Sequence, residues 1–355
     1  MIRVLKRLAR KLPGIRDVIA DRDRLLGERD ELLVEREELG RRRDQLQAER
    51  DRLASERDAL GAEKEELLDE LEGLRRTQGF VPPGHFYSPI PSLEQVLAAE
   101  QRIFADPPRR LEGIPMDEEG QLRLLGEMRA FHDDLPFGAE KREGLRYYFD
   151  NPAYSWSDAI LLHGMMRFLK PGRIIEVGSG FSSCMMLDTN DRFFDGGIDI
   201  TFVEPFPELL NSLIRPSDRE HTAIVDSPLQ EVGLEVFDAL EADDILFIDS
   251  THVSRIDSDV NRILFDILPR LKPGVYVHFH DIFWPFEYPR EWVMEGRAWN
   301  EAYALRAFLQ FNPAFRVVLM NTFMQRFHRE FFERHLPLCL KNTGGSLWLR
   351  KESVV

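Results

Sequence analysis

The segment at residues 173–183 reads R-I-I-E-V-G-S-G-F-S-S, a short apolar run that ends in two glycines one residue apart. Ile175 and Val177 suit a strand that is buried on both faces. Gly178 and Gly180 then allow the backbone to turn sharply and to approach a ligand closely. The segment therefore predicts the first strand of a parallel α/β sheet, followed by a ligand-binding turn.

The turn lacks one part of the usual dinucleotide-binding pattern. That pattern has a third glycine for tight helix packing, and Ser183 occupies its position here. Glu176, two residues before Gly178, resembles instead the acid of the E/D-x-G-x-G motif, the first motif of class I S-adenosylmethionine (SAM) methyltransferases. An ordinary tight turn between a strand and a helix is the alternative.

Strands and helices alternate after residue 172, which is typical of a parallel sheet. Asn342–Gly345 reads as a turn, so the seventh strand is expected to pair antiparallel at the far side. This arrangement resembles that of class I methyltransferases and implies an α/β fold, a Rossmann-like seven-stranded methyltransferase sheet with an N-terminal coiled-coil helix. The six later strands are predicted at 198–203, 222–225, 244–248, 275–280, 316–320 and 346–350.

A leucine recurs every seven residues near the N-terminus, which predicts a coiled coil over residues 17–78. The positions are Leu25, Leu32, Leu39, Leu46, Leu53, Leu60, Leu67 and Leu74. Arginine or lysine fills most of the other core positions, so the apolar seam is thin. A solitary charged helix held by i,i+4 ion pairs is the alternative. In the first interpretation the chain is a homo-oligomer.

Residues 1–16 form a basic amphipathic segment. Apolar residues at helical spacing alternate with five basic residues before Pro13 and Gly14, which are expected to stop a helix. Such a pattern is typical of an interfacial helix on an anionic membrane surface. A basic cap on the coiled coil explains it equally well.

Prolines at 82, 83, 89 and 91 end the heptads, because they do not fit a helix interior. Residues 79–149 are therefore predicted to be a linker and helical lead-in, with residues 92 to about 170 largely helical. The methyltransferase domain is placed at 150–355.

The charge is concentrated outside the heptads. Residues 81–355 hold 28 Lys and Arg against 42 Asp and Glu, which accounts for nearly all of the net charge of −15. So acidic a body repels a polyphosphate chain, which argues against nucleic-acid substrates. No run approaches the roughly 18 to 20 apolar residues of a spanning helix. Only Cys184 and Cys339 are present, so a reducing cytoplasm is expected.

Polar residues follow the second and third strands. Glu204 ends the second strand, where an acid can accept hydrogen bonds from both ribose hydroxyls of a nucleotide. Asp226 and Ser227 follow the third strand, in the loop that borders the adenine in this kind of fold. The alternatives are a solvent-exposed acid at Glu204 and a helix N-cap at Asp226 or Ser227.

The fourth and fifth strands end in acids and histidines. Residues 244–252 read D-I-L-F-I-D-S-T-H, which resembles the FIDGDH signature of small-molecule O-methyltransferases, including the methyltransferase 24 family. Ser250 and Thr251 replace the Gly-Asp of that signature. Residues 277–282 read V-H-F-H-D-I, close to the family's strand that ends in His-Asp. Adjacent strand ends are expected to bring Asp249, His252, His280 and Asp281 together.

The resemblance also raises a metal site. In related catechol-type enzymes the acids that match Asp249 and Asp281, with a following Asn, hold Mg²⁺. Ile282 stands at the Asn position, which removes an oxygen ligand. His280 offers a replacement only for a softer ion such as zinc or manganese. Metal-independent chemistry is therefore slightly favoured.

The predicted function is SAM-dependent methyl transfer to a hydroxyl of a small molecule or glycan. His252 is the expected general base, since the ordinary pKa of histidine, near 6.5, is close to working pH. Asp249 and Asp281 are expected to orient it or to bind the metal. The methionine part of SAM is assigned to Glu176, Gly178, Ser179 and Gly180, and the ribose to Glu204.

Two other functions are compatible with parts of the sequence. One is an NAD-dependent nucleotide-sugar enzyme, although the third glycine and a Tyr-x-x-x-Lys pair are missing. The other is a non-catalytic coiled-coil scaffold that carries a methyltransferase-like domain.

The aromatic residues of 283–292 are expected to form a lid over the substrate.

Overall fold

A computed structural model describes residues 13–77 and 79–353. The chain divides between Pro82 and Pro83 into two compact units. Residues 1–12, which hold most of the predicted basic segment, lie outside the described residues, so the membrane-contact hypothesis stays a prediction. Among the helices that the structure describes, none is both long enough and apolar enough to cross a bilayer.

The first unit contains one long helix, α1 (Pro13–Thr77), which confirms the predicted N-terminal helix. At 1.5 Å per residue, its 65 residues extend for about 98 Å. Pro13 is well suited to the first position of this helix, because a first-turn N–H has no intrahelical partner and its loss costs little. The heptad leucines from Leu25 to Leu67 are each 52–65% exposed in the single chain. Self-association through this stripe therefore stays a prediction.

The segment before the sheet is less helical than predicted. Prolines interrupt the helical hydrogen-bond pattern in the two irregular stretches at 104–117 and 132–155. The helical parts are α2 (Leu93–Ala98), α3 (Glu100–Ile103), α4 (Glu118–Met128), a 3-10 turn (Arg129–Phe131) and α5 (Trp156–Leu169).

The second unit is built on a seven-stranded sheet with the order β3-β2-β1-β4-β5-β7-β6. Each predicted strand is present. β7 is antiparallel to its neighbours, as expected, but it lies between β5 and β6, so that β6 forms the edge. The strands are β1 (Arg173–Val177), β2 (Asp199–Val203), β3 (Thr222–Val225), β4 (Ile245–Ile248), β5 (Tyr276–Phe279), β6 (Phe315–Met320) and β7 (Leu347–Lys351).

Helices flank the sheet and make its central strands inaccessible to water. All four residues of β4 are buried, as expected for a strand covered on both faces. The helices are α6 (Phe181–Phe193), α7 (Glu208–Leu213), α8 (Glu235–Asp238), α9 (Asp259–Arg262), α10 (Leu268–Arg270), α11 (Arg290–Met294), α12 (Glu301–Leu309), α13 (Asn321–Phe327) and α14 (Arg329–His335). A π turn (Ile263–Ile267) joins α9 to α10.

A buried arginine ties the lead-in to the sheet's helices. Arg146 is 3% exposed, and its guanidinium donates to Asp188 and Asp191 on α6 and to Asp218 beyond α7. The backbone N–H groups of Arg146 and Tyr147 also donate to Asp188. The guanidinium of Arg146 therefore compensates most of the negative charge of the buried carboxylates.

We expect Arg146→Met to lower the free energy of unfolding by about 3 to 5 kcal/mol, because it leaves Asp188 and Asp218 buried without their cation. Urea denaturation measures the change. Arg329→Met is the matched control: its i,i+4 pair with Glu333 is exposed, so the loss should stay below about 0.5 kcal/mol. Equal losses in the two variants would show that the buried network does not stabilise the fold.

Candidate functional site

Four strands end in register at one edge of the sheet. Val177, at the end of β1, pairs with Val203 on one side and with Ile248 on the other, and Ile248 pairs with Phe279. The residues that follow these strand ends are therefore brought side by side: Gly178, Glu204, Asp249 and His280. This confirms that the strand ends selected from the sequence share one edge.

Gly178 occupies a position that no other residue fits. Its φ is +86°, a left-handed conformation that side chains disfavour. A Cβ built on it would lie 1.7 Å from the backbone oxygen of Asp249. The Gly178 N–H donates to the Val203 carbonyl at 3.0 Å, and the Asp249 N–H donates to the Val177 carbonyl at 2.9 Å. Close backbone approach, rather than loop flexibility, therefore requires this glycine.

Glu176 is placed beneath the turn rather than in the cleft. It is fully buried and accepts hydrogen bonds from the hydroxyls of Ser182 and Ser183 at the start of α6. Burial raises its pKa to about 8, although the two serine hydrogen bonds oppose the shift. Ser183 also accepts from the Gly180 N–H at 3.0 Å. The serine in place of the third glycine thus helps Glu176 to hold the turn.

A cleft of about 390 Å³ opens above the strand ends, within the size range of small-molecule sites. Gly178, Ser179, Glu204 and Asp249 contribute to its lining. One carboxylate oxygen of Glu204 accepts from the N–H and the hydroxyl of Ser179, both at 3.0 Å, and the other accepts from the Phe206 N–H at 2.9 Å. Glu204 is therefore held in a fixed orientation at the cleft.

The loop after β3 borders the cleft through other residues than the two selected from the sequence. Asp226 is exposed and Ser227 is half-buried, whereas Pro228, Leu229 and Gln230 line the cleft. The one-turn 3-10 helix that follows begins at Leu229 with Pro228 at its N-cap. Neither Asp226 nor Ser227 caps it, so the N-cap alternative is wrong.

His252 lies at the centre of a group of carboxylates. Its Nε2 is 3.5 Å from an oxygen of Asp249 and 3.7 Å from an oxygen of Asp281. Its Nδ1 is 2.8 Å from an oxygen of Glu301, on the first turn of α12. His252 is 4% exposed, so the imidazole is largely shielded from water. The predicted meeting of Asp249, His252 and Asp281 is thus observed.

This surrounding changes the protonation of His252. Burial lowers its pKa, but the contacts with Asp249 and Glu301 outweigh burial and raise the pKa to about 10. The expectation of an ordinary histidine pKa near 6.5 is therefore wrong. Burial also raises the pKa of Asp281, with His280 and His252 opposing that shift. Three carboxylates around one imidazole favour its charged form.

Asp249, His280 and Asp281 can converge on one cation. Their ligand atoms lie within 4.8 Å of one another. His280 is buried, its Nε2 is 3.4 Å from Asp281, and its Nδ1 has no hydrogen-bond partner among the described residues. Two carboxylates and an imidazole suit manganese or zinc better than magnesium. Ile282 is fully buried and adds no ligand.

The aromatic stretch after β5 is only partly a lid. Trp284, Phe286 and Tyr288 are buried, and the Trp284 indole donates to the Pro108 carbonyl at 2.8 Å. Alternate residues of this stretch therefore belong to the core. A different aromatic residue, Trp299, packs against His252, with 4.4 Å between the two ring centroids.

Sequence reasoning did not assign a role to Glu301 or Trp299. Both were visible only as the start of a helix, and an acid in a first helical turn is common without any site. A signal specific to Glu301 is its place in an otherwise amphipathic helix, where it lies on the buried side with Ala302 and Leu305. That signal is too weak to identify a partner 49 residues away.

Part of the second unit is similar to a known protein family. Residues 175–282 match the methyltransferase 24 family model, described as a methyltransferase domain. An uncharacterized protein of Archaeoglobus fulgidus is 34% identical over 165 residues, which cover 45% of this chain and 73% of that protein.

Two solved structures are similar at low identity. The SAH-bound methyltransferase PaMTH1 of Podospora anserina is 13% identical, with 78% of this chain and 100% of that chain covered and a TM-score of 0.38. The O-methyltransferase TomG of Streptomyces achromogenes, in complex with SAM and involved in tomaymycin synthesis, is 15% identical, with 73% and 95% covered and a TM-score of 0.37.

The sheet order and the glycine turn are those of the class I methyltransferase fold, and the family match covers both the turn and the His-Asp strand end. Residues 175–282 are accordingly a methyltransferase domain of the methyltransferase 24 type. The domain match makes the protein an enzyme of the methyltransferase class.

We expect Gly178→Ala to lower the free energy of unfolding by about 2 to 5 kcal/mol, from the left-handed φ and the clash with Asp249 together. Thermal unfolding and calorimetric titration with SAM measure the effects on stability and on the turn. Gly126→Ala in α4 is the control, because its Cβ would meet nothing within 4 Å. A Gly178→Ala protein as stable as the Gly126→Ala protein would contradict the close-approach argument.

Proposed function

We propose that the protein transfers the methyl group of SAM to a hydroxyl oxygen of a small molecule or glycan. The observation that carries this proposal is the position of His252 among Asp249, Asp281 and Glu301, beside the cleft at the strand ends. Hydroxyl acceptors need a group that removes a proton as the new bond forms, and a positioned imidazole suits that task.

The cleft has features that fit SAM. The carboxylate of Glu204 has about four acceptor sites, and three of them accept N–H or O–H groups of the protein, so one site remains for a ribose hydroxyl. Gly178 and Ser179 line the cleft, so the turn that continues to Gly180 would bind the methionine part through its backbone, with Glu176 supporting it from below. Asp226 and Ser227 precede the three loop residues that line the cleft, and they would bind the adenine amino group from there.

The protein's part in the reaction is proton removal and orientation. SAM, when bound, supplies an electrophilic methyl carbon on a positively charged sulfonium. A positive charge nearby disfavours imidazolium, which moves His252 towards the neutral form. The Nε2 of His252 would then accept the acceptor's hydroxyl proton, while the oxygen would bond to the methyl carbon and the bond from that carbon to the sulfonium sulfur would break, so that S-adenosylhomocysteine leaves. Asp249 and Asp281 stabilise the resulting imidazolium.

Aromatic side chains favour an acceptor with a ring. Trp299 packs on His252, and Trp292 meets Trp299 edge to face at 5.3 Å between centroids. The Arg297 guanidinium lies 4.3 Å from the Trp292 ring. Faces of this kind bind sugar or aromatic rings through apolar contact. They support a sugar or phenol-like acceptor.

Asp249, His280 and Asp281 would hold a divalent ion if one is bound. Such an ion would act as a Lewis acid and lower the pKa of a coordinated hydroxyl. His252 already lies between the two acids and partly neutralises them, and Ile282 withholds the usual third oxygen ligand. Both features favour a reaction that proceeds without metal.

The remaining proposals concern assembly and location. The exposed leucine stripe of α1 supports a homo-oligomer formed through parallel coiled-coil pairing. Cys184 and Cys339 are both buried free thiols, which supports a reducing compartment such as the cytoplasm. Peripheral contact with anionic membranes through residues 1–16 rests on the sequence alone.

Direct binding and transfer assays test the function as a whole. Calorimetric titration should detect SAM binding and no NAD binding. Tritiated SAM, offered with a panel of monosaccharides, nucleotide sugars and catechols, should label at least one hydroxyl acceptor. SAM binding without transfer to any hydroxyl, but with transfer to an amine or thiol, would overturn the proposed acceptor class.

We expect Glu204→Ala to weaken SAM binding by about 1.5 to 3 kcal/mol, since charged hydrogen bonds to the ribose are lost. Glu208→Ala on α7 is the matched control, because it removes an exposed acid four residues away. Titration calorimetry measures both, and thermal unfolding checks that the Ser179 turn persists. Unchanged SAM affinity in Glu204→Ala would remove the ribose assignment.

We expect His252→Ala to reduce turnover by about 10² to 10⁴ while SAM affinity hardly changes. Turnover of the wild type should rise with pH between 6.5, the ordinary pKa of histidine, and about 10, the pKa of His252 in this fold. The reason is that His252 must lose its own proton before it can accept one from the hydroxyl. The variant should lose this rise. Assays with EDTA should leave the wild-type rate unchanged. A fully active His252→Ala protein would identify another group as the base.

We expect self-association to depend on α1. A chain that begins at Phe80 should sediment and scatter light as a smaller species than the full chain, yet bind SAM with the same affinity. Replacing Leu39, Leu46 and Leu53 together by Asp in the full chain should have the same effect, because charges at these positions interrupt the apolar seam. The same oligomer in all three proteins would place the interface elsewhere.

A further inference from the structure

The segment that precedes and begins α12 holds the loop of His252 from several directions. We infer that Glu301 is a positioning residue for the reaction, which fixes the Nδ1 side of His252 so that Nε2 faces Asp249, Asp281 and the acceptor. The inference rests on the proposed function and adds a residue that neither the sequence motifs nor the family match, which ends at residue 282, points to.

The side chain of Glu301 makes a close contact with His252. The Oε2 of Glu301 lies 2.8 Å from the Nδ1 of His252, whereas the two acids on the Nε2 side lie at 3.5 and 3.7 Å. Glu301 is fully buried, and its Oε1 has no hydrogen-bond partner among the described residues. Burying a carboxylate costs free energy unless a close partner compensates its charge, and His252 is the close partner of Glu301.

Hydrogen bonds to the backbone also connect residues 300 and 301 to the loop of His252. The N–H groups of Asn300 and Glu301 both donate to the carbonyl oxygen of His252 at 3.1 Å. The Asn300 side chain accepts from the Ser254 N–H at 2.5 Å and donates to the Ser254 carbonyl at 3.1 Å. These bonds hold His252 at a φ of +59°, a strained value for a non-glycine residue. The loop's conformation thus depends on residues 300 and 301.

Trp299 completes the arrangement. Its ring lies 4.4 Å from the imidazole of His252, centroid to centroid, with 36° between the ring planes. Contact between Trp299 and the face of the imidazole restricts tilting of the imidazole ring. The hydrogen bond to the Glu301 carboxylate restricts rotation of the same ring within its plane. The imidazole therefore keeps Nδ1 directed at Glu301 and Nε2 directed at the acids.

The unequal distances decide which proton is exchanged. The Nδ1–H is held by a hydrogen bond of normal length, whereas the Nε2 contacts exceed normal hydrogen-bond length. The proton on Nε2 is consequently the one that leaves and returns. A base oriented by a third group in this way is a general arrangement for proton transfer.

A spectroscopic experiment tests the contact without needing an acceptor. The full chain, labelled with ¹⁵N-histidine and saturated with S-adenosylhomocysteine, should show a downfield imidazole proton that is absent in His252→Asn. Glu301→Leu should lose this resonance and Glu301→Gln should keep it, because the amide oxygen still accepts from Nδ1. A resonance that persists in Glu301→Leu would overturn the inference.

Turnover provides the second test, with the best hydroxyl acceptor of the panel. Glu301→Leu should lower kcat at least about tenfold, a part of the 10² to 10⁴ expected for the base, with the SAM affinity and the acceptor KM unchanged. Glu301→Gln should retain most of the rate. Glu291→Leu, an exposed acid on α11, is the control and should retain full activity.

The two substitutions should not be additive. In a His252→Ala background, Glu301→Leu should cause no further loss of kcat, because a positioning residue acts only through the group it positions. An equal loss in both backgrounds would mean a general structural role and would overturn the inference. Absence of turnover in the wild type would instead contradict the proposed function, and the resonance experiment would still decide the contact.

Discussion

Register between parallel strands is the constraint on which the rest of this structure depends. Val203, Val177, Ile248 and Phe279 lie in a row across β2, β1, β4 and β5. The backbone of Gly178 passes so close to the carbonyl oxygen of Asp249 that even one methyl group is excluded. A one-residue shift in any of these pairs would move the acids and histidines to opposite faces of the sheet. The cleft and the group of acids and histidines beside it are thus consequences of strand pairing.

Electrostatics at the strand ends is arranged around one imidazole. Asp249, Asp281 and Glu301 together are costly to bury unless a positive charge accompanies them. His252 provides that charge, which explains why its pKa lies well above the ordinary value. Both His252 and Asp281 have positive φ values, and such strain costs about 1 to 3 kcal/mol per residue. For His252, the hydrogen bonds that its carbonyl accepts from the N–H groups of Asn300 and Glu301 help to offset this cost.

The predictions made from sequence succeeded where local pattern and burial coincide. β4 was recognisable because Ile245, Leu246, Phe247 and Ile248 are apolar without interruption, which suits a strand covered on both faces. They failed where the pattern was compatible with two environments. Trp284, Phe286 and Tyr288 read as a lid but belong largely to the core, since aromatic residues occupy both places. The lead-in read as helical, but its prolines interrupt it.

The sequence by itself determined the order of the elements, the long N-terminal helix, the glycine turn and the acids and histidines that end β4 and β5. Those features are local, because each depends on the periodicity of neighbouring residues and on the geometry that glycine and proline impose. Only the tertiary structure decided that Glu176 supports the turn from below, that β7 lies between β5 and β6 in the sheet, and that Glu301 contacts His252. Such contacts join residues far apart in the chain, and burial then shifts their pKa values. Neither distance nor burial is contained in a local pattern.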